Sequence, residues 1–435
     1  MDLDITGTTA AEIADSVRAL RERGMLRPGD ALPPVRELAS LLGVNRNTAV
    51  AAYRQLAQAG LVISKGRGGT LMAGAAHVAQ EGVAADTVLQ DIGSGNPDPR
   101  LIPDPTAALT GIVGRPVLYG EPVIDPGLEQ WAREWILADL PRDDLRITVT
   151  SGAVDAVERL LAQALMRDDA VALEDPCFLA SIHTVRLGGY RGVPVPVDEE
   201  GMTVEGLQAA LDAGIRALIC TPRAQNPTGV SLSPARAAAL REVLRPHPYV
   251  LIIEDDHFSM LSAHPYASLI GPEHRRYALL RSVSKFLGPD MCLAVAATDP
   301  TTAERLSLRL NPGTTWVSHL LQRLAHAQLS DAGVRAEIGA AATHYAERNA
   351  AFVAALAQRG IVTHSSDGLS LWVQVPAPAQ AVAERLMRRG WLVRTGDEFR
   401  IENPSPASDH LRLTVHDLSD ADTARLLDDL EAAAR

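Results

Sequence analysis

Residues 73–85 read Ala-Gly-Ala-Ala-His-Val-Ala-Gln-Glu-Gly-Val-Ala-Ala, a run of small residues with neither helical nor strand periodicity, and they divide the 435-residue chain into two unequal parts. A segment of this composition behaves as a linker and carries no core of its own. The chain must therefore fold as separate units: residues 1–73, a linker over 74–90, and residues 91–435.

The first part is patterned as three helices and a hairpin. Thr9-Ala-Ala-Glu12 is a capping box, followed by Ile13, Val17 and Leu20 at helical spacing. Pro33-Pro34 sets up a second helix from Val35 to Leu42, which Gly43 ends. A third helix, capped by Asn45 or Asn47, runs to about Ala59 before Gly60 stops it. Leu61 to Leu71 then reads as two short strands around the turn Lys65-Gly66-Arg67-Gly68-Gly69. Beyond Asp91 apolar strands such as Ala217 to Cys220 and Val250 to Ile253 alternate with alanine- and leucine-rich helices such as Pro234 to Leu244. That alternation predicts an α/β domain with a mainly parallel sheet.

Hydrophobic residues make up 46% and charged residues 22% of the chain, the balance of a folded globular protein. Its apolar runs are too short to span a bilayer and its N-terminus lacks the pattern of a secretory signal, so a cytoplasmic location with no membrane partner is expected. Cys177, Cys220 and Cys292 are too few and too widely spaced for a disulfide framework or a zinc site; reduced thiols and no metal are expected. The net charge of −12 is unevenly spread. Residues 1–74 hold nine Lys/Arg against seven Asp/Glu, a net +2, whereas the other 361 hold 32 against 46, a net −14. Only the N-terminal part has a balance that suits DNA.

Leu32-Pro-Pro-Val-Arg36-Glu-Leu-Ala39, then Leu42-Gly-Val-Asn45-Arg46-Asn47-Thr48 and Tyr53-Arg54-Gln-Leu56, resembles the GntR family of regulators over nearly all of residues 8–72. The resemblance implies a winged helix-turn-helix that binds double-stranded DNA, one helix in the major groove and the wing on phosphates. Arg36, Arg46, Asn47, Thr48, Lys65 and Arg67 are the expected DNA contacts, since Arg reads guanine edges bidentately and Asn and Thr reach base edges or phosphate.

Five segments of the second part carry chemistry in a fixed order. Ser151-Gly152-Ala153 follows a strand and opens a helix, where backbone N–H groups can bind a phosphate. Phe178 follows Glu174-Asp-Pro-Cys, where its ring could stack on a flat heterocycle. Asn226 stands in Thr221-Pro-Arg-Ala-Gln-Asn226-Pro-Thr-Gly229, and Asp255 and His257 end the apolar strand Ile252-Ile-Glu-Asp255-Asp256-His257. A carboxylate there can hold a pyridine nitrogen protonated. Ser282-Val-Ser284-Lys285 supplies an amine beside two hydroxyls. Lys65 and Lys285 are the only lysines among 41 basic residues, and guanidinium cannot replace an amine in forming a Schiff base at neutral pH.

These segments resemble the fold-type I enzymes of pyridoxal 5'-phosphate (PLP), in their aminotransferase branch, over about residues 91–435. The resemblance implies an α/β aminotransferase-like domain with a large lobe over about 118–300 and a smaller α+β lobe from the remainder. It makes Lys285 the Schiff-base lysine, Asp255 the partner of the pyridine nitrogen, Asn226 the donor to the ring oxygen and Phe178 the stacking ring. Gly152, Ala153, Ser282 and Ser284 would surround the phosphate, Tyr119 would reach a phosphate across a dimer interface, and Arg412 would clamp an effector carboxylate. Two positions depart from the pattern. Cys292 stands where an arginine usually completes the phosphate clamp, and His257 where a tyrosine usually approaches the ring oxygen. Losing one charge-assisted hydrogen bond costs roughly 1.5–3 kcal/mol, for which Arg281 is a candidate replacement.

A winged helix-turn-helix joined to such a domain resembles the MocR/GabR family of GntR-type bacterial regulators, with the Asn-Arg-Asn-Thr and Asp-Asp-His-Phe stretches closest to its PtsJ-like branch. The family implies a head-to-tail homodimer that senses PLP, or a PLP–amine aldimine, and controls genes of vitamin B6 or amino-acid metabolism. An active aminotransferase carrying an accessory DNA-binding domain is the competing reading.

Overall fold

The computed structural model describes residues 4–434 except 28, 59–60, 65–68, 73–81, 83–86, 113, 312, 314, 362, 365–366 and 402–406. Two compact units partition the chain, Met1–Gln80 and Glu81–Arg435.

In the first unit α1 (Ala10–Glu22) opens at Thr9, whose side chain accepts from the Glu12 N–H while Glu12 caps back. Such a cap is worth about 0.5–2 kcal/mol. The short strand β1 (Ala31–Leu32) precedes α2 (Val35–Leu42), which Gly43 closes in the left-handed region at φ 64°. In α3 (Arg46–Gln58) the first turn is held by Asn45, whose side chain accepts the Asn47 N–H at 2.8 Å. Tyr53 donates to the Pro33 carbonyl at 2.6 Å and so ties α3 to the start of α2. The wing strands β2 (Val62–Ser64) and β3 (Thr70–Met72) pair as the sequence predicts. The structure adds β1 as a third strand antiparallel to β3. Its two residues are too short a run for a periodic signal. Ile13, Val17, Leu20, Leu38, Leu56 and Met72 form the core, each burial worth roughly 1.5–3 kcal/mol.

The second unit is built on an eight-stranded sheet in the order Arg146–Thr150, Ala294–Thr298, Tyr277–Ser282, Leu251–Asp255, Ala217–Cys220, Ala170–Asp175, Arg191–Asp198, Gly201–Met202. Pairing is parallel from Tyr277–Ser282 to Arg191–Asp198, and antiparallel on both sides of Ala294–Thr298 and at the Gly201–Met202 edge. Central strands such as Ala217-Leu-Ile-Cys220 are buried on both faces, which is why they read as unbroken apolar runs. The smaller lobe pairs Leu371–Gln374, His410–Leu413 and Arg394–Thr395 in an antiparallel sheet. Gln90–Asp91 pairs there with Trp391–Leu392. Helices Ala332–Gln358, Ala379–Met387 and Asp420–Ala434 supply the rest of that lobe's core around the buried Trp391. No described helix is long and apolar enough to cross a membrane.

Candidate functional site

Five strands of the large sheet end at one edge, and the turns that leave it enclose a cavity of about 270 Å³. Open α/β sheets hold ligands beyond the carboxyl ends of their strands. Gly152 and Ala153, after strand Arg146–Thr150, open the helix Ala153–Ala164 on the cavity wall. Gly152 sits at φ 97° with open space where a Cβ would stand, leaving room for a ligand against the backbone. Phe178 follows strand Ala170–Asp175, Asn226 follows Ala217–Cys220, Asp255 and His257 end Leu251–Asp255, and Ser282, Ser284 and Lys285 end Tyr277–Ser282; all seven line the same cavity. Ser151, Val154, Thr221 and Cys292 complete the wall.

Asp255 sets the electrostatics. It is buried, and among the described residues its Oδ1 has no hydrogen-bond partner. Burial, reinforced by the neighbouring Asp256 carboxylate, pushes its carboxyl up to about 7, against the opposing pull of Lys285. Lys285 Nζ donates to the Gly95 carbonyl at 3.1 Å. On the same wall Ser282 Oγ donates to Ser284 Oγ at 3.1 Å, and Asp155 accepts the N–H of the wall residue Ser151 at 3.2 Å while paired with Arg159 at 2.7 Å. Lys285 is the one Lys or Arg among the described residues of the wall.

Arg281 does not replace the arginine missing at Cys292. Alternation along the strand turns it to the face opposite Ser282, where its fully buried guanidinium pairs with Asp256 at 2.9 Å, pairs with Asp139, and lies 4.8 Å from the Trp135 ring centre. Arg223 holds the same Asp256 bidentately at 2.9 and 2.6 Å. This charged layer backs the strand that presents Asp255.

Arg412 and Tyr119 lie outside the cavity lining. Arg412 is buried beside it and donates to Asn226 Oδ1 at 3.0 Å and to the Gly93 carbonyl at 2.6 Å. Tyr119 is 89% exposed, its ring 5.4 Å from Trp316. In the first unit Arg36 stands exposed on the first turn of α2, and Arg46, Asn47 and Thr48 are the first three residues of α3 with the two leading side chains exposed. Lys65 and Arg67 lie outside the described residues. Among the described residues no cluster of three His, Cys, Asp or Glu could hold a metal.

Sequence reasoning missed the segment Ile92–Asp98, whose Gly95 holds Lys285. Its signal was Gly93-Ser-Gly95-Asn-Pro97, a turn composition directly after a strand.

Comparison with known proteins covers both units. The family "Bacterial regulatory proteins, gntR family" matches residues 9–72, and "Aminotransferase class I and II" matches residues 110–430. The chain is 46% identical over 430 residues to the vitamin B6 salvage pathway transcriptional repressor PtsJ of Salmonella typhimurium, covering 99% of each. It is 28% identical over 267 residues to the HTH-type pyridoxine biosynthesis transcriptional regulator PdxR of Corynebacterium glutamicum, covering 58% of this chain and 56% of the relative. Among solved structures, the α-aminoadipate aminotransferase LysN of Thermus thermophilus superposes with a TM-score of 0.70 at 22% identity, covering 80% of this chain and 92% of that one, which shows the shared fold. With both families in this order on one chain, and a relative matched from end to end, the chain belongs to the MocR/GabR family of GntR-type bacterial regulators, in which a winged helix-turn-helix is joined to an aminotransferase class I and II domain.

Proposed function

We propose that this chain is a transcriptional regulator that binds double-stranded operator DNA through its N-terminal unit and senses PLP, or PLP together with an amine, through its C-terminal unit. The observation that carries the reading is Asp255 on the same cavity wall as Lys285, with a buried Oδ1 that meets no donor among the described residues. A protonated pyridine nitrogen fits that oxygen, and Lys285 is the primary amine an aldehyde requires. When bound, PLP supplies an aldehyde for that amine and an electron-withdrawing ring.

This chain's residues divide the work of holding it. Lys285 takes the aldehyde end, Asp255 the ring nitrogen, Asn226 the ring oxygen with His257 beside it, and Phe178 one face of the ring. Gly152, Ala153, Ser282 and Ser284 receive the phosphate, and Arg412, next to Asn226, receives an effector's carboxylate. Tyr119 reaches the phosphate of a partner copy in a head-to-tail homodimer. Exposed Leu118, Tyr119 and Val123, with Trp316 against Tyr119, support an interface there. Arg36, Arg46, Asn47 and Thr48 contact DNA, with Lys65 and Arg67 in the wing.

The full-length likeness to a vitamin B6 salvage repressor supports PLP as the signal and vitamin B6 genes as the target. A wall with no arginine among its described residues favours reversible occupancy over sustained turnover, since a sensor that is always full reports nothing. A residual half-reaction with amines remains compatible with Lys285. Footprinting the DNA that flanks this gene, with and without PLP, tests the proposal: protection that changes with PLP is expected, and protection indifferent to PLP and to amines would overturn it.

A further inference from the structure

The segment Ile92–Asp98 is threaded between Lys285 and the smaller lobe, and nearly every polar backbone group along it is engaged. The Ile92 carbonyl accepts the Thr414 N–H at 2.6 Å. The Gly93 carbonyl accepts from Arg412 Nη2 at 2.6 Å and from Arg394 Nε at 3.1 Å. Gly95 donates its N–H to Thr414 Oγ1 at 3.1 Å and accepts from Lys285 Nζ at 3.1 Å. The Asn96 carbonyl meets His416 Nε2 at 3.0 Å, and the Asp98 N–H donates to the Tyr345 hydroxyl at 3.1 Å. Gly95 adopts φ 66°, and a Cβ on Gly93 would stand 3.0 Å from Arg394 Cγ, so the backbone is pressed against the smaller lobe at one glycine and turned at the other. On its N-terminal side the segment continues into the strand Gln90–Asp91, and the Ser94 carbonyl accepts the N–H of Gly82, two residues past the boundary between the two units.

We propose that this strap is the element by which Lys285 reports that the cofactor has arrived: the lysine amine holds Gly95 in the empty state and lets it go on taking the cofactor. The inference rests on the function proposed above. Lys285 Nζ forms a double bond to the aldehyde carbon of PLP, and the aldehyde oxygen leaves as water together with two of the three ammonium protons. The nitrogen then keeps one N–H of three and is tied to the cofactor's carbon, so its donor bond to Gly95 is given up. A buried carbonyl deprived of its donor drives rearrangement of the backbone that carries it. Because the other strap bonds run to the strand and turn of residues 410–416, to Arg394, to Tyr345 and to Gly82, the adjustment passes to the smaller lobe and to the chain segment that leads to the DNA-binding unit.

Hydrogen–deuterium exchange on the full-length chain, with and without PLP, tests the latch, and borohydride reduction followed by peptide mass mapping reports whether Lys285 carries the cofactor. With the cofactor on Lys285, exchange at the Gly95 and Thr414 amides is expected to rise about fivefold or more, opposite to the protection expected at Gly152 and Ala153 on the cavity wall. Lys285→Ala without PLP should show the same rise at the strap. Lys285→Arg keeps a cationic donor that does not take the aldehyde and should stay at the empty-state rate when PLP is added. Thr414→Val should loosen the strap whatever occupies the cavity. The latch is overturned if Lys285 carries the added mass while strap exchange is unchanged or slower, or if the strap of Lys285→Ala is as protected as in the natural chain. Absence of added mass on Lys285 would instead overturn the function proposed above, and the Lys285→Ala comparison would still decide the latch.

Discussion

Arg412 Nη1 donates to Asn226 Oδ1 at 3.0 Å, so the residue proposed for an effector's carboxylate orients the residue proposed for the cofactor's ring oxygen. Arg412→Ala should therefore weaken PLP binding as well as any amino-acid response, with Kd for PLP rising about tenfold in an absorbance titration. Asn226→Ala should do the same, and the double variant should be less than additive by about 0.5–3 kcal/mol.

Asp255→Asn removes the acid that faces a ring nitrogen. Kd for PLP should rise by about 10- to 100-fold, the worth of one charge-assisted hydrogen bond. Borohydride should still fix PLP on Lys285 at saturating concentration, which separates loss of affinity from loss of the site.

Cys292→Arg restores a cation at the wall where the family's clamp usually has one. Cys292 is already in the left-handed region at φ 40°, and arginine adds no further backbone penalty there. PLP should bind about tenfold more tightly and the DNA response should saturate at lower PLP. An unchanged Kd in the same titration would show that position 292 does not face the phosphate.

Without PLP the protein should lose stability as the solution becomes alkaline. Burial raises Glu174 to about 8, Glu254 to about 7 and Asp255 to about 7, all above their unfolded values. A carboxyl whose folded pKa is raised stabilises fully below its unfolded pKa and loses that contribution as pH climbs through the folded one. Tm should fall by on the order of 5 °C between pH 6 and pH 9, and Glu174→Gln should flatten the decline.

Arg46→Ala should weaken operator binding by about 1–3 kcal/mol if the side chain reads a base edge, and leave PLP binding unchanged. Should it instead meet a phosphate, the salt dependence of binding loses about one unit of slope. Titrations at several salt concentrations distinguish the two.

The first unit was legible almost residue by residue, because Thr9, Asn45 and Gly43 are local signals whose meaning is settled within one helical turn. The cavity residues were legible for another reason. Strand ends in a parallel sheet are sequence-distant but fall on one edge, so Phe178, Asn226, Asp255 and Lys285 converge once the sheet is granted. What could not be read was which side a flanking residue faces and which distant segment crosses above it. Arg281 is one residue from Ser282 yet belongs to the buried pair with Asp256. Gly95 is 190 positions from Lys285, and nothing periodic links them.

The charged layer formed by Arg223, Asp256, Arg281 and Asp139 also governs how this protein can change. Asp256 is buried between Arg223 and Arg281, so removing it strands two buried guanidinium groups, at a cost of about 3–5 kcal/mol, and it cannot drift by itself. The rim at Cys292 is under no such constraint: it is exposed, and it can be exchanged singly. Ligand preference can thus wander at the mouth of the cavity while its floor stays locked.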